Sequence, residues 1–418
     1  MMKGWEKYTL GDIYDVRDGT HDSPKYQPQG YPLITSKNLK NNGLNFEKVQ
    51  YISEQDYNKI NERSAVHKGD ILLAMIGTIG NPVVVEVEPQ FAIKNVALIK
   101  VPKNQNSYFL KYYLQTLYVE SKMCREAKGT TQKFVGLGYL RNFPIFLPPL
   151  PEQKRIVAIL DEAFEGIDAA IANTEKNLAN ARELFESYLN GVFTEKGEGW
   201  VEKKLHEILT RQPRNGWSPP ANNHSPTGTP VLTLSAVTGF HFNQYKRKFT
   251  NAPTKKDAHY WLKNGEFLIS RSNTPELVGH VAICENLVTP TICCDLIMKM
   301  QIDSSQADTK FIYWYFRTCK MRNLITSSAQ GANPTMKKIN KGIVQNLPVT
   351  FPSIQKQKNI ANILDDFYLN TQELESIYQR KLEALKELKQ SILEKAFTGE
   401  LTGDVAKEVA DTSKEIAA

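Results

Sequence analysis

"LPPLPEQKRIVAILD" runs from Leu147 to Asp161, and "TFPSIQKQKNIANILD" repeats it from Thr350 to Asp365. Gln153 matches Gln357, Lys154 matches Lys358, Ile156 matches Ile360, and Ile159 matches Ile363. Leu160 and Asp161 likewise match Leu364 and Asp365. The offset is 357 − 153, or 204 residues, and it holds without a gap to Phe193-Thr194 and Phe397-Thr398. In both copies proline ends the preceding element and apolar residues then recur at helical spacing. The stretch therefore predicts a long helix, made twice.

In the first copy the apolar or small residues fall at Ile156, Leu160, Ala163, Ile167, Ile171, Thr174, Leu178, Ala181, Phe185, Tyr188 and Val192. Steps of four and three alternate with one extra four, a coiled-coil seam carrying one stutter. The second copy runs Ile360, Leu364, Phe367, Thr371, Leu374, Tyr378, Leu382, Leu385, Leu388 and Ile392. Helices of about 40 residues span roughly 60 Å at 1.5 Å per residue. Such a stripe outruns a compact domain, so the reading pairs the two helices with each other, antiparallel; packing of each on its own globular unit is the alternative.

Outward from the helices the repeat continues. "GWEKYTLGDI" from Gly4 echoes "GWVEKKLHEI" from Gly199, and "HKGDILLAMIGTIG" from His67 resembles "KNGEFLISRSNTPELVG" from Lys263. "AKGTTQKF" from Ala127 has its counterpart in "AQGANPTMKK" from Ala329. Self-similarity at half the chain length means tandem duplication rather than a solenoid. Strand signals such as "FAIKNVALIKV" and "TICCDLIMKMQI" alternate with amphipathic helices such as "SYFLKYYLQTLYVESKMCREA". Each half thus reads as a mixed α/β globular unit followed by a long helix.

Composition narrows the function class. The 418 residues carry a net charge of +7, with 41% hydrophobic and 23% charged residues, a profile of globular domains with a mildly basic balance. No apolar run reaches the length of a membrane span, and the N-terminus lacks a signal-peptide pattern. Five cysteines form no CxxC pair and suit reduced thiols, so a cytoplasmic location is expected. Seven scattered histidines give no metal-ligand spacing, and no metal is expected.

The sequence offers no catalytic set. "NPVV" at Asn81 lacks the aromatic of an Asn/Asp-Pro-Pro-aromatic methyltransferase tetrapeptide, "VGLG" at Val135 is not a GxGxxG loop, and no Walker lysine loop occurs. Glu86, Glu88 and Lys94 read as surface charges. What recurs instead is a set of basic, amide-rich loops with the chemistry to meet phosphates and base edges. In the first half these supply Lys37, Asn38, Thr78, Lys94, Asn95, Thr130, Thr131, Gln132 and Lys133 as candidate DNA contacts. In the second half they supply Arg214, Asn215, Trp217, Ser235, Lys246 and Arg247, with Arg271, Ser272 and Asn273 following. Asn333, Thr335, Lys337 and Lys338 complete the set.

The two P-x-x-x-Q-x-x-I helices, the "W…LGDI" openings and the terminal "AFTGEL" resemble the specificity subunit (HsdS) of type I restriction–modification systems, over about Gly4 to Leu401. The resemblance implies two tandem target-recognition domains separated by two long helices forming an antiparallel coiled coil, with pseudo-twofold symmetry. It divides the chain into domain 1 (1–150), helix 1 (151–197), domain 2 (198–352), helix 2 (353–404) and a tail (405–418). It implies a non-catalytic chain that reads a bipartite, asymmetric duplex site and docks two methylation subunits, and through them restriction subunits. S-adenosylmethionine would then sit on the methylation subunits, and ATP and magnesium on the restriction subunits, with no cofactor on this chain. The coiled coil and docking set expected is Gln153, Ile156, Ile159, Leu160, Ile167, Leu178 and Phe185 from the first helix. The second contributes Gln357, Ile360, Ile363, Leu364, Leu374, Leu382 and Leu385. The second copy departs at Lys356, where the first has Glu152, and at Ser353 and Gln355, where the first has proline. A specificity chain of another modification or defence system is the alternative, and a stand-alone adenine methyltransferase a weaker one.

Overall fold

The protein is described from a computed structural model covering residues 4–130, 133–331 and 335–401. The expected contacts Thr131, Gln132 and Asn333, and the tail from residue 405, lie outside the described residues. Two continuous 45-residue helices, Leu150–Thr194 and Ile354–Thr398, dominate the fold. The chain divides into two compact units: residues 1–176 with those from 379 onward, and residues 177–378. Each unit therefore takes the first part of one long helix and the last part of the other, instead of leaving both helices as separate bodies between the domains.

In the first unit, strand Glu6–Thr9 pairs antiparallel with Pro144–Leu147, so the start and end of the globular region lie side by side where the long helix begins. Four antiparallel strands form the sheet, in the order Asp15–Asp18, Val96–Lys100, Ile71–Ala74 and Gly80–Val84. The second unit repeats this plan. Val201–Lys204 pairs with Pro348–Phe351, and its sheet runs Leu209–Asn215, Ile297–Ile302, Phe267–Ser270, Val281–Ile283. The turn entering the third strand of each order is built alike. Gly69 and Gly265 take positive φ (89° and 84°), and the next residue is a buried carboxylate. Asp70 accepts from the His67 amide and pairs with Lys100 at 3.0 Å; Glu266 accepts from the Lys263 amide and pairs with Lys299 at 2.7 Å.

The repeated glutamine shows what the duplicated stretch is for. Gln153 and Gln357 are both fully buried. The Gln153 carboxamide donates to the carbonyl of Pro148 (2.9 Å) and accepts from the amide of Asn106 (3.0 Å), the N-cap of helix Ser107–Leu114. Gln357 donates to Pro352 (2.9 Å) and accepts from Asp308 (2.8 Å), the N-cap of helix Thr309–Arg317. Two turns on, Asp161 accepts from the Tyr112 hydroxyl (2.6 Å), and Asp365 accepts from the Trp314 indole (2.8 Å). One face of each helix is thus locked to its own globular region.

The far end of the other helix completes each unit. Phe397 meets Trp5 edge-on (6.5 Å) in the first unit, and Phe193 meets Trp200 edge-on (6.3 Å) in the second. Glu394 accepts the amide of Leu117, and Asn190 accepts that of Cys319 (2.8 Å), each at the first residue of a following helix. In both pairs of contacts the long-helix residues, Phe193 with Phe397 and Asn190 with Glu394, stand 204 apart.

The helices also pair with each other. In the second unit Arg182 meets Glu375 (3.1 Å), Phe185 packs on Tyr368 (5.1 Å), and Tyr188 packs on Phe367 (5.1 Å), a rising sequence against a falling one. In the first unit Lys389 binds Asp168 and lies 4.8 Å from the Phe164 ring. Ile156, Leu160, Ala163, Ile167 and Phe185 are buried, as are Leu364, Leu382 and Leu385. Burial departs from the expected seam in two places, although Tyr188 keeps its contact with Phe367. Leu189 and Phe193 are buried where Tyr188 and Val192 were expected, and Leu374 is 43% exposed. The cause is the globular region: Phe193 turns into the cluster of Trp200, Phe311 and Tyr315, so packing there overrides the interhelical period. Both readings of the stripe therefore apply, each to a different face.

Replacing Gln153 with alanine leaves the Pro148 carbonyl and the Asn106 amide buried without a partner, which costs about 1–3 kcal/mol. Chemical denaturation should register that loss, and hydrogen exchange at the Asn106 amide should accelerate. Unchanged protection at Asn106 would show that the amide bridge does not hold the helix start.

Candidate nucleic-acid interface

The candidate contacts occupy loops whose shape is set by backbone pairing in the same way in both units. In the first unit Lys128 and Phe134 exchange two backbone hydrogen bonds (2.9 and 2.8 Å), closing the loop between them. The Lys133 carbonyl accepts from Gly77 (2.9 Å), and Val135 donates to Met75 (3.0 Å). Lys133 is thereby held at Gly77, next in sequence to Thr78, and the side chains of Lys133, Thr130 and Thr78 are exposed. In the second unit Gln330 and Lys338 exchange the equivalent bonds (2.8 and 2.7 Å), and Ile339 donates to Arg271 (2.9 Å). Ser272 then pairs with Lys338 and Asn273 with Lys337. Residues some sixty positions apart in sequence form one surface in each half.

A second cluster in the first unit surrounds the turn at 35–45. Asn38 does not present its side chain to a partner. It is 4% exposed, accepts from the Thr35 amide (3.0 Å) and donates to the Asn45 carbonyl (3.0 Å). Its carboxamide shapes the turn that lifts Lys37 and Lys40 out. Together with Asn41, Asn45, Lys48, Thr78 and Asn81 they line an open cleft of about 770 Å³. Lys40, Asn41, Lys48 and Asn81 were not among the individual residues expected, and the fold adds them to this cleft. The basic loop marked the first two, whereas Asn81 is joined to them only by the fold.

Lys94 and Asn95 stand at another edge of the same unit. Lys94 donates to the Ser23 hydroxyl (2.6 Å). Asn95, at φ 57°, directs its carbonyl oxygen to His21 Nδ1 (2.9 Å), while His21 Nε2 faces Asp18 (2.8 Å), which Arg63 also binds. Both ring nitrogens face oxygen acceptors, so the imidazolium satisfies both. The Asn95 hydrogen bond, followed by that to Asp18, raises the His21 pKa above its ordinary value.

In the second unit Ser235 bonds Thr233 (2.8 Å), whose amide donates to the Lys246 carbonyl (2.9 Å). Arg247 lies over the rings of Tyr245 and Phe249 (5.6 and 5.4 Å), which fixes a planar cation at the surface. Arg214 is exposed at the edge of the sheet, and Trp217 stacks on Tyr260 at 4.9 Å. The Asn215 oxygen is buried and lacks a hydrogen-bond partner among the described residues. Ser272 is only 4% exposed, a correction to its place among the surface contacts: its role is in the strand pairing that presents Arg271 and Asn273. Thr335 and Lys338 are exposed, and Lys337 is half-buried, donating to the Gly331 carbonyl (3.2 Å).

The residues expected to dock partners divide by burial. Gln153, Ile156, Leu160, Ile167, Phe185, Gln357, Leu364, Leu382 and Leu385 are consumed inside the units. Ile159, Leu178 and Ile360 are half-buried, and only Ile363 (52%) and Leu374 (43%) are exposed. Leu184, Tyr188, Leu369 and Ile377 join them as exposed apolar residues on the long helices, all within the second unit. Among the described residues no cluster of ligating side chains could hold a metal, and no helix is long and apolar enough to cross a membrane.

Comparison with known proteins places this architecture. Residues 2–180 and 197–384 each match the Type I restriction modification DNA specificity domain. The EcoKI specificity subunit of Escherichia coli K12 is 24% identical over 89% of the chain and 82% of its own length. The MjaVIII specificity subunit of Methanocaldococcus jannaschii is 21% identical over 95% and 93%. Among solved structures, a chain from a study of type I R-M complex assembly and conformational transition superposes with a TM-score of 0.75, at 19% identity, covering 95% of this chain and 98% of its own. The HsdS subunit of Thermoanaerobacter tengcongensis gives a TM-score of 0.58 at 20% identity, covering 96% and 98%. At such identities the structural likeness speaks for the fold.

The His21 network predicts a pH dependence whose sign follows from its raised pKa. Stabilisation from the imidazolium is fully present below the unfolded value of about 6.5 and is lost as pH rises through the folded value. Protection of the Thr20 and Asn95 amides, corrected for intrinsic exchange, should therefore fall with rising pH, and His21→Phe should flatten that dependence. A pH-independent wild type would contradict the assignment.

Proposed function

The chain belongs to the type I restriction–modification DNA specificity family, and on that premise we propose that it is the non-catalytic recognition subunit of such a system, reading a bipartite, asymmetric duplex site with one unit per half-site. The observation that carries this reading is the pairing of loops across the sheet edge. Met75 with Val135, and Arg271 with Ile339, are the same backbone bond in the two units, yet the side chains they present differ. A common frame with different loop chemistry suits two different half-sites.

The mechanism divides by chemistry. Exposed Lys37, Lys40, Lys133 and Lys338 neutralise phosphates and release counterions, which supplies affinity without sequence information. Amides and guanidinium groups such as Asn273, Arg271 and Arg247 meet base edges and supply discrimination. The long helices fix the spacer between half-sites. Their exposed apolar side chains, Leu184, Ile363, Leu369, Leu374 and Ile377, offer docking surface for methylation subunits, two per chain. S-adenosylmethionine belongs to those subunits, and ATP and magnesium to the restriction subunits that join them.

Exchange of residues 1–150 for the equivalent segment of a related chain should change one half of the methylated motif and leave the other intact. Methylome sequencing of cells carrying the exchanged chain with its methylation subunit reads this out. A motif altered in both halves, or in neither, would contradict independent recognition.

A further inference from the structure

We infer that Asn81 reads an adenine edge for the first unit, from a strand bulge where the second unit's pairing runs in unbroken register. The inference rests on the DNA-recognition reading above and adds a residue that neither its charge nor its local sequence marks.

The backbone supplies the first observation. Asn81 has φ 50°, in the left-handed region that side-chain-bearing residues rarely adopt. Gly80 before it is at φ 110°, Pro82 follows and narrows its choices further, and the strand pairing shifts register between Leu72 and Ala74. Glycine would suit this conformation with less strain. Asparagine stands there instead, and its side chain is what glycine would lack.

Placement supplies the second. Asn81 lines the open cleft that also carries Lys37, Lys40, Lys48 and Thr78, with Glu47 as the one acidic residue. Its carboxamide has no hydrogen-bond partner among the described residues, although most other amides shaping this region are spent: Asn38 on Thr35 and Asn45, and Asn45 on Glu47. A free carboxamide among lysines offers one acceptor and a donor pair, the complement of adenine N6 and N7 in the major groove.

The second unit supplies the contrast. Leu72 pairs with Val83 as Leu268 pairs with Ala282, but the register shift then sets Gly80 opposite Ala74, so Asn81 lies in a bulge, whereas the second unit runs in step from Ala282 through Val281 to His280, whose carbonyl accepts from Ser270. His280 is 7% exposed and both its nitrogens are used: Nδ1 accepts from Gly239 (3.0 Å) and Nε2 donates to the Glu276 carbonyl (3.1 Å). Phe240, itself at φ 62°, stacks on the imidazole at 4.0 Å. Burial lowers the His280 pKa to about 4, which keeps the ring neutral beside Arg322 and Arg317. The second unit thus continues in register to a buried, fully bonded histidine, whereas the first inserts a residue with a free amide.

An asparagine in this conformation can also be a plain turn residue, and Asn81→Gly separates the two roles. Glycine keeps the backbone, so a turn role predicts an unchanged motif and an unchanged or raised melting temperature. The reading role predicts that the first half-site relaxes at one position, with discrimination falling roughly ten- to hundredfold, while the second half-site stays intact. The assay is motif mapping by methylome sequencing, with the chain co-expressed with its methylation subunits. If Asn81→Gly does not assemble, Asn81→Asp decides: a carboxylate cannot donate to adenine N7, so the preferred base at one position should change. An unchanged motif in the variant that assembles overturns the inference and leaves the parent reading standing. A wild-type complex that methylates no bipartite motif overturns the parent reading, and the inference falls with it.

Discussion

A fully buried carboxamide that bridges a proline carbonyl to the N-cap of the next helix is the constraint on which each unit depends. Gln153 and Gln357 make that bridge in the two halves, and nothing short of a side chain carrying both donor and acceptor could. Buried backbone groups must be paired, so the glutamine settles where the long helix begins and where the globular region sits on it. Asp161 and Asp365 extend the lock along the same face. With that face spent internally, the remaining faces are left for the partner helix and for solvent.

The recognition surfaces can then vary without disturbing the frame. Loop closure at Lys128–Phe134 and at Gln330–Lys338 uses the same pair of backbone bonds, which leaves the neighbouring side chains free to differ. Lysine, threonine and asparagine fill the first unit's surface. An arginine laid over the rings of Tyr245 and Phe249 stands on the second's. Duplicated architecture with divergent surface chemistry is what the proposed reading of two unlike half-sites requires.

The helices, their proline starts and their 204-residue repeat were legible in the sequence because periodicity and punctuation are local signals. The use of the repeated residues was not. Gln153 reads as a polar residue on an apolar helix, and only the fold shows it buried against Asn106, 47 residues away in sequence. The end of the first seam was misplaced by one residue because Phe193 follows a tertiary cluster rather than the interhelical period. Among the candidate contacts, composition pointed to Lys37 and Lys133, which the fold leaves exposed. It could not separate Asn38, which folds inward to shape its turn, from Asn41, which faces the cleft. Asn81 drew notice only as the start of "NPVV"; its backbone angle and the cleft it shares with residues some forty positions away belong to the fold.

The central claim is that helix length, held by these locks, sets the distance between two independent readings of DNA. Inserting seven residues into each long helix, after Lys176 and after Tyr378 where the two units meet in sequence, keeps the apolar face nearly in phase. The insertion adds roughly 10 Å at 1.5 Å per residue. Since B-DNA rises about 3.4 Å per base pair, the methylated motif should keep both half-sites and gain about three base pairs between them. A lengthened chain that still methylates the original motif at its original spacing would contradict the account.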